Sequence, residues 1–134
     1  MNYSPHQQAL IEQFSALRGW EDRYRQILRL GKVHPVMADE LKVDEVLLAG
    51  CESKVWFYGE HYDGGLRLTI SSDAKIVKGL ISIIITAYQD LTLSQIKSFD
   101  CEQFFIELGL LNHLSPSRGN GIRAIISAIQ DAAN

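Results

Sequence analysis

Gly50-Cys51-Glu52-Ser53 sets a thiol behind a glycine and ahead of polar residues, a placement that suits chemistry better than packing. Glycine admits backbone conformations that other residues avoid, so Gly50 marks a loop tip. The aromatic and β-branched run from Lys54 to Tyr58 then reads as a strand. Most free cysteines are small core hydrophobes, but a thiol displayed on a loop is open to sulfur chemistry. Cys51 is therefore read as a sulfur-handling nucleophile, with Gly50, Glu52 and Ser53 as its active-site loop.

The missing partners narrow the chemistry. A protease-like cysteine needs a base within hydrogen-bond reach and an oxyanion hole. The four histidines, His6, His34, His61 and His113, lie in no recognisable Cys-His protease signature and read as surface or capping residues. Thiol–disulfide and persulfide exchange need only a thiolate, access to the sulfur under attack and shelter for the product. The second cysteine, Cys101, follows Asp100 at a helix start. Backbone N–H groups there would lower its pKa, whereas Asp100 and Glu102 would raise it. It is read as structural. Two cysteines without a CxxC fall short of the roughly four ligands of an Fe–S cluster and show no zinc-site spacing. No Gly-rich strand–helix signature of a dinucleotide site occurs either, so no resident metal, flavin or pyridoxal phosphate is expected.

The 134 residues suit one domain, 1–134, and 46% hydrophobic with 22% charged residues is ordinary for a globular chain. The net charge is −3 and the basic residues are scattered. That argues against nucleic acid as a main partner, because phosphate binding needs a concentrated basic face. Met1-Asn2-Tyr3-Ser4-Pro5-His6 carries no basic n-region, and no apolar h-region follows. The longest apolar run, Leu80 to Tyr88, is too short for a bilayer. The expectation is a cytoplasmic protein with reduced thiols and no membrane partner.

Several elements can be placed around the loop. Ser4, Pro5 and Gln7 open a first helix that Gly19 ends, and a second helix from Trp20 stops at Gly31. Asp39 to Lys42 suggests one helical turn, and Val46-Leu47-Leu48 a short strand leading to Gly50. Asp63-Gly64-Gly65 signals a hairpin whose second strand alternates through Leu66, Leu68 and Ile70. Ser72-Asp73 then caps a helix that is apolar almost all round from Ile76 to Ile85, the expected central helix. Cap patterns at Thr92/Gln95, Asp100/Gln103 and Ser115-Pro116 open three more helices.

Four blocks in order carry a family resemblance. Gly50-Cys51-Glu52-Ser53-Lys54-Val55-Trp56 resembles the active-site loop of the SufE-like sulfur acceptors. Trp20-Glu21-Asp22-Arg23-Tyr24 is similar to that family as well, as are Ser72-Asp73 with Ile76-Val77-Lys78-Gly79-Leu80 and Leu114-Ser115-Pro116-Ser117-Arg118 with Gly121. Trp20 to Leu30, Gly31-Lys32, Asp39 to Lys42 and Ala49-Gly50-Cys51 look most like the CsdE branch.

The resemblance implies an α+β fold of the SufE/NifU-like kind, a small, mainly antiparallel three-stranded sheet packed by helices. It implies a sulfur acceptor and carrier, not a classical enzyme. Cys51 would take persulfide sulfur from a pyridoxal-phosphate cysteine desulfurase, CsdA- or SufS-like, and stimulate that enzyme. The sulfur would pass to a downstream acceptor or an Fe–S scaffold, and the carrier would be a monomer or weak dimer. Arg118 would be either a surface or capping residue, or a contact for the Cys51 loop or the partner. A stand-alone thiol redox protein using Cys51 is the competing reading; it would want its own resolving cysteine or activating base.

Overall fold

The computed structural model describes residues 3–134. The first helix, α1 (Pro5–Ser15), opens on the capping box read from the sequence. Ser4 Oγ accepts the Gln7 N–H and the Gln7 side chain accepts the Ser4 N–H. Buried Gln7 also donates its amide to the Ala87 carbonyl at 2.8 Å, so one residue caps its own helix and fastens it to the core. The second helix, α2 (Gly19–Val33), runs past Gly31 instead of stopping there. The reason is a close approach. A Cβ on Gly31 would lie 2.8 Å from the Lys75 carbonyl oxygen, and one on Gly79 would run into the Ile27 carbonyl. Glycine at both positions lets α2 press backbone to backbone against α3 (Lys75–Tyr88).

α3 is the central helix. Ile81, Ile83, Ile84 and Ala87 have no exposed surface, and Leu80 only 1%. Each such Ile or Leu contributes about 1.5–3 kcal/mol of burial, so α3 anchors the core. Its N-cap is Ala74, which has no side chain able to cap. The expected cap residues serve another end. Ser72 Oγ donates to the Lys54 carbonyl at 2.6 Å and accepts the Ala74 N–H, while Asp73 Oδ1 accepts the Lys54 N–H at 3.2 Å. They tie the start of α3 to the end of the Cys51 loop.

Strands β1 (Val55–Tyr62) and β2 (Gly65–Ser72) pair antiparallel, from Val55 opposite Ser72 to Tyr62 opposite Gly65. Asp63 and Gly64, at φ +50° and +78°, make the two-residue turn that matches strand twist. Among the described residues the sheet has two strands, not the three expected. Val46 ends a short 3-10 turn, and Leu47 makes a single antiparallel bridge to Trp56. The chain then turns at Ala49-Gly50, so no ladder develops.

Residues 34–47 form a strap over the hairpin. It is fastened by His34 Nε2 to the Ile70 carbonyl (2.7 Å), by buried Met37, by the Tyr58 hydroxyl donating to the Leu41 carbonyl (2.8 Å), and by the Leu47 bridge. The helical turn read at Asp39 to Lys42 is a 3-10 turn, Asp39–Leu41, that places the Lys42 ammonium 5.6 Å from the Trp56 ring centre.

The chain closes with α4 (Leu93–Ser98), α5 (Cys101–Glu107) and α6 (Pro116–Ala133), capped by Thr92, Asp100 and Ser115 as their sequences imply. The architecture is α+β, with six α-helices and one hairpin among the described residues. No helix among them is long and apolar enough to cross a membrane.

Candidate functional site

The Cys51 loop is pinned at its ends and irregular between them. The Leu48 N–H donates to the Val55 carbonyl at 3.0 Å and closes the loop, and Asp73 holds Lys54. Gly50 sits at φ +83°, a left-handed conformation that strains any residue with a Cβ. That turn delivers Cys51 to the flank of α6. Its thiol lies 3.9 Å from the Gly121 carbonyl oxygen, within reach of a weak S–H donation.

Cys51 is half-buried and lines a cavity of about 370 Å³. Three distant stretches build it: the loop itself through Val55, the side of α3 at Val77 and Leu80, and α6 with its cap from Ser115 to Ile125. The floor is apolar (Val55, Val77, Leu80, Ile122, Ile125), and the polar groups are Glu52, Ser53, Ser115, Ser117 and Arg118. The sequence-predicted residues Cys51, Glu52, Ser53 and Arg118 thus meet at one place. Gly50 stands outside the lining and acts through the backbone.

Arg118 is exposed in the first turn of α6, where its N–H donates to Ser115 Oγ. Among the described residues its guanidinium makes no ion pair, and the residue lines the same cavity as the thiol. Burial pushes the Cys51 thiol above its ordinary pKa. Burial thus favours the neutral thiol over the thiolate.

Cys101 lies elsewhere. It is 1% exposed, within the core cluster, and absent from the cavity lining. Burial pushes its pKa up to about 12; a Tyr88 hydrogen bond lowers it and the Asp100 carboxylate raises it. Glu102, the other acid beside it, is paired with Arg123 of α6. Trp56 is buried, and Trp20 packs on the core edge stacked against His113 at 5.1 Å. Neither tryptophan reaches the cavity. Of the histidines, none lines it either: His6 pairs with Asp90, and His34 and His61 meet the Ile70 and Ala132 carbonyls. Among the described residues no group of three or more His, Cys, Asp or Glu side chains is placed to hold a metal ion.

Reading single residues for chemistry misses Val77, Ser115, Ser117 and Gly121, which shape the cavity. Their signal was their place in the blocks that carry the family resemblance, since nothing in a lone Ser or Val announces a site.

Residues 8–133 match the family model for SufE, described as an Fe-S metabolism associated domain. The chain belongs to the SufE family. Its role accordingly lies in Fe–S metabolism and sulfur transfer, as an accessory protein. The fold is similar to the solution structure of a hypothetical protein from Thermus thermophilus, with a TM-score of 0.79 at 17% identity. That match covers 98% of this chain and 96% of the other, and at this identity it speaks for the fold alone.

Proposed function

We propose that Cys51 is the persulfide-forming thiol of a sulfur carrier of the CsdE branch, served by a pyridoxal-phosphate cysteine desulfurase of the CsdA or SufS kind. The observation that carries the reading is the pairing of one reachable thiol with an apolar-floored cavity of about 370 Å³. A carrier must both present sulfur and keep it from stray thiols, and this thiol sits at the boundary between loop and cavity.

The step is a sulfur-to-sulfur displacement. The Cys51 thiolate attacks the outer sulfur of the desulfurase persulfide. A new S–S bond forms on Cys51, the donor's S–S bond breaks, and its electron pair stays on the desulfurase cysteine. No external oxidant or reductant is consumed. Arg118, which lines the same cavity, is placed to contact the Cys51 loop or the partner. The loop residues Gly50, Glu52 and Ser53 set how far the sulfur reaches. Pyridoxal phosphate stays with the partner, and this chain carries no resident cofactor or metal. The sulfur moves on to an Fe–S scaffold or another acceptor in the cytoplasm, and the carrier works as a monomer or weak dimer.

The competing thiol redox reading lacks a resolving group, because Cys101 is sealed in the core. The test is desulfurase turnover with cysteine as substrate. Wild type should stimulate it and Cys51→Ser should not, since a hydroxyl is a poor nucleophile toward sulfur at neutral pH. Full stimulation by a folded Cys51→Ser protein would defeat the proposal.

A further inference from the structure

We infer that the outer surface of the strap, together with Val33 just before it, is the docking surface for the desulfurase, and that the enzyme meets it with a basic rim around an apolar patch. The inference rests on the sulfur-carrier reading above and adds how the partner is recognised.

Two observations on one segment lead there. Of the large hydrophobic side chains left exposed among the described residues, Val33 (77%), Val36 (93%), Leu41 and Val43 all lie on this strap or at its start. The remaining two are Tyr62, whose ring is covered by the Arg67 guanidinium at 4.0 Å, and Ile106. The strap is not a loose tail that could fold its apolar residues inward. Its backbone is fixed at His34, Met37, Leu41 and Leu47, so Val36 and Val43 are held outward. A partner would bury them with little ordering cost.

Charge supplies the partner's chemistry. The strap holds four carboxylates (Asp39, Glu40, Asp44, Glu45) against Lys42. That negative excess equals the −3 of the whole chain, so the rest of the chain is close to neutral. These carboxylates are all exposed, and among the described residues their one ion pair is Lys42–Asp39 at 3.6 Å. The strip calls for a cationic rim about the desulfurase's entrance. An acidic strip complements such an entrance and steers the encounter. The strap also continues along the chain into the Cys51 loop.

The test titrates the carrier against a purified cysteine desulfurase shown to load wild-type Cys51, at low and high salt. Asp44→Lys with Glu45→Lys should weaken binding by about tenfold or more at low salt, with the loss shrinking as salt screens beyond about 8 Å. Val36→Ser should weaken it by roughly tenfold at either salt. Both changes fall on exposed side chains, so unchanged thermal melting and unchanged reaction of Cys51 with inorganic polysulfide should accompany them. Transfer at saturating carrier should stay at the wild-type rate. Variants that bind the desulfurase like wild type would overturn the docking surface while leaving Cys51 as the carrier. A loss of affinity only for a downstream scaffold would overturn it in the same way. Failure of any desulfurase to load wild-type Cys51 would overturn both readings.

Discussion

Cys51 and Cys101 are the same side chain in two environments, and only one of them can meet another molecule. Cys101 opens α5 inside the core cluster, 1% exposed, with a thiol pushed up to about 12. Cys51 is half-buried at the rim of a cavity that Arg118 also lines, and burial pushes its thiol upward as well. Both raised values trace first to desolvation. The difference that matters is access, because a buried thiol cannot reach a partner's sulfur whatever its pKa. The two thiols differ in the backbone around them, a positive-φ glycine before Cys51 and a helix N-terminus at Cys101.

The widest contrast should appear in alkylation. Cys51 should react with iodoacetamide at least about a thousandfold faster than Cys101, which is released only by an opening that costs several kcal/mol. Similar rates at the two positions, followed by peptide mapping, would break the comparison. Stability should reverse the ranking. Cys101→Ser places a hydroxyl in the core and should cost about 1–3 kcal/mol in denaturant melts. Cys51→Ser should stay within about 0.5 kcal/mol of wild type.

The pH dependence sharpens the same point. The folded pKa of Cys101 is raised above the unfolded value, so its contribution to stability is complete below about pH 8.5 and declines above it. Loss continues until the folded pKa near 12 is reached. By pH 10 the wild type should therefore have lost about 2 kcal/mol that a Cys101→Ala protein does not lose. Equal slopes for the two proteins between pH 8 and 10 would show that burial does not hold this thiol neutral.

Local signals were legible in the sequence and tertiary ones were not. Ser4 with Gln7, Thr92 with Gln95, and the Asp63-Gly64 turn each act within four residues, and the structure uses them as written. Gly31 looks like a helix stop because its purpose, the contact with Lys75 and Gly79, lies more than forty residues away. Ser72 and Asp73 look like caps for a similar reason; their partner is Lys54 across the hairpin. Val46-Leu47-Leu48 has strand composition, but the turn needed to present Cys51 follows too soon for a third strand. At the site, Cys51 was visible as a residue type in an unusual setting. The cavity behind it was not, since Val77, Ile122 and Ile125 have the spacing of ordinary core-facing helix residues.

In the proposed carrier, sulfur resides on Cys51. The direct measurement is intact mass, with peptide mapping, after incubation with a cysteine desulfurase and cysteine. The account predicts a species one sulfur atom heavier, with the addition on the Cys51 peptide, retained in Cys101→Ser and absent from Cys51→Ser. Added sulfur on Cys101, or none on Cys51 while the desulfurase is turning over and stimulated, would contradict it.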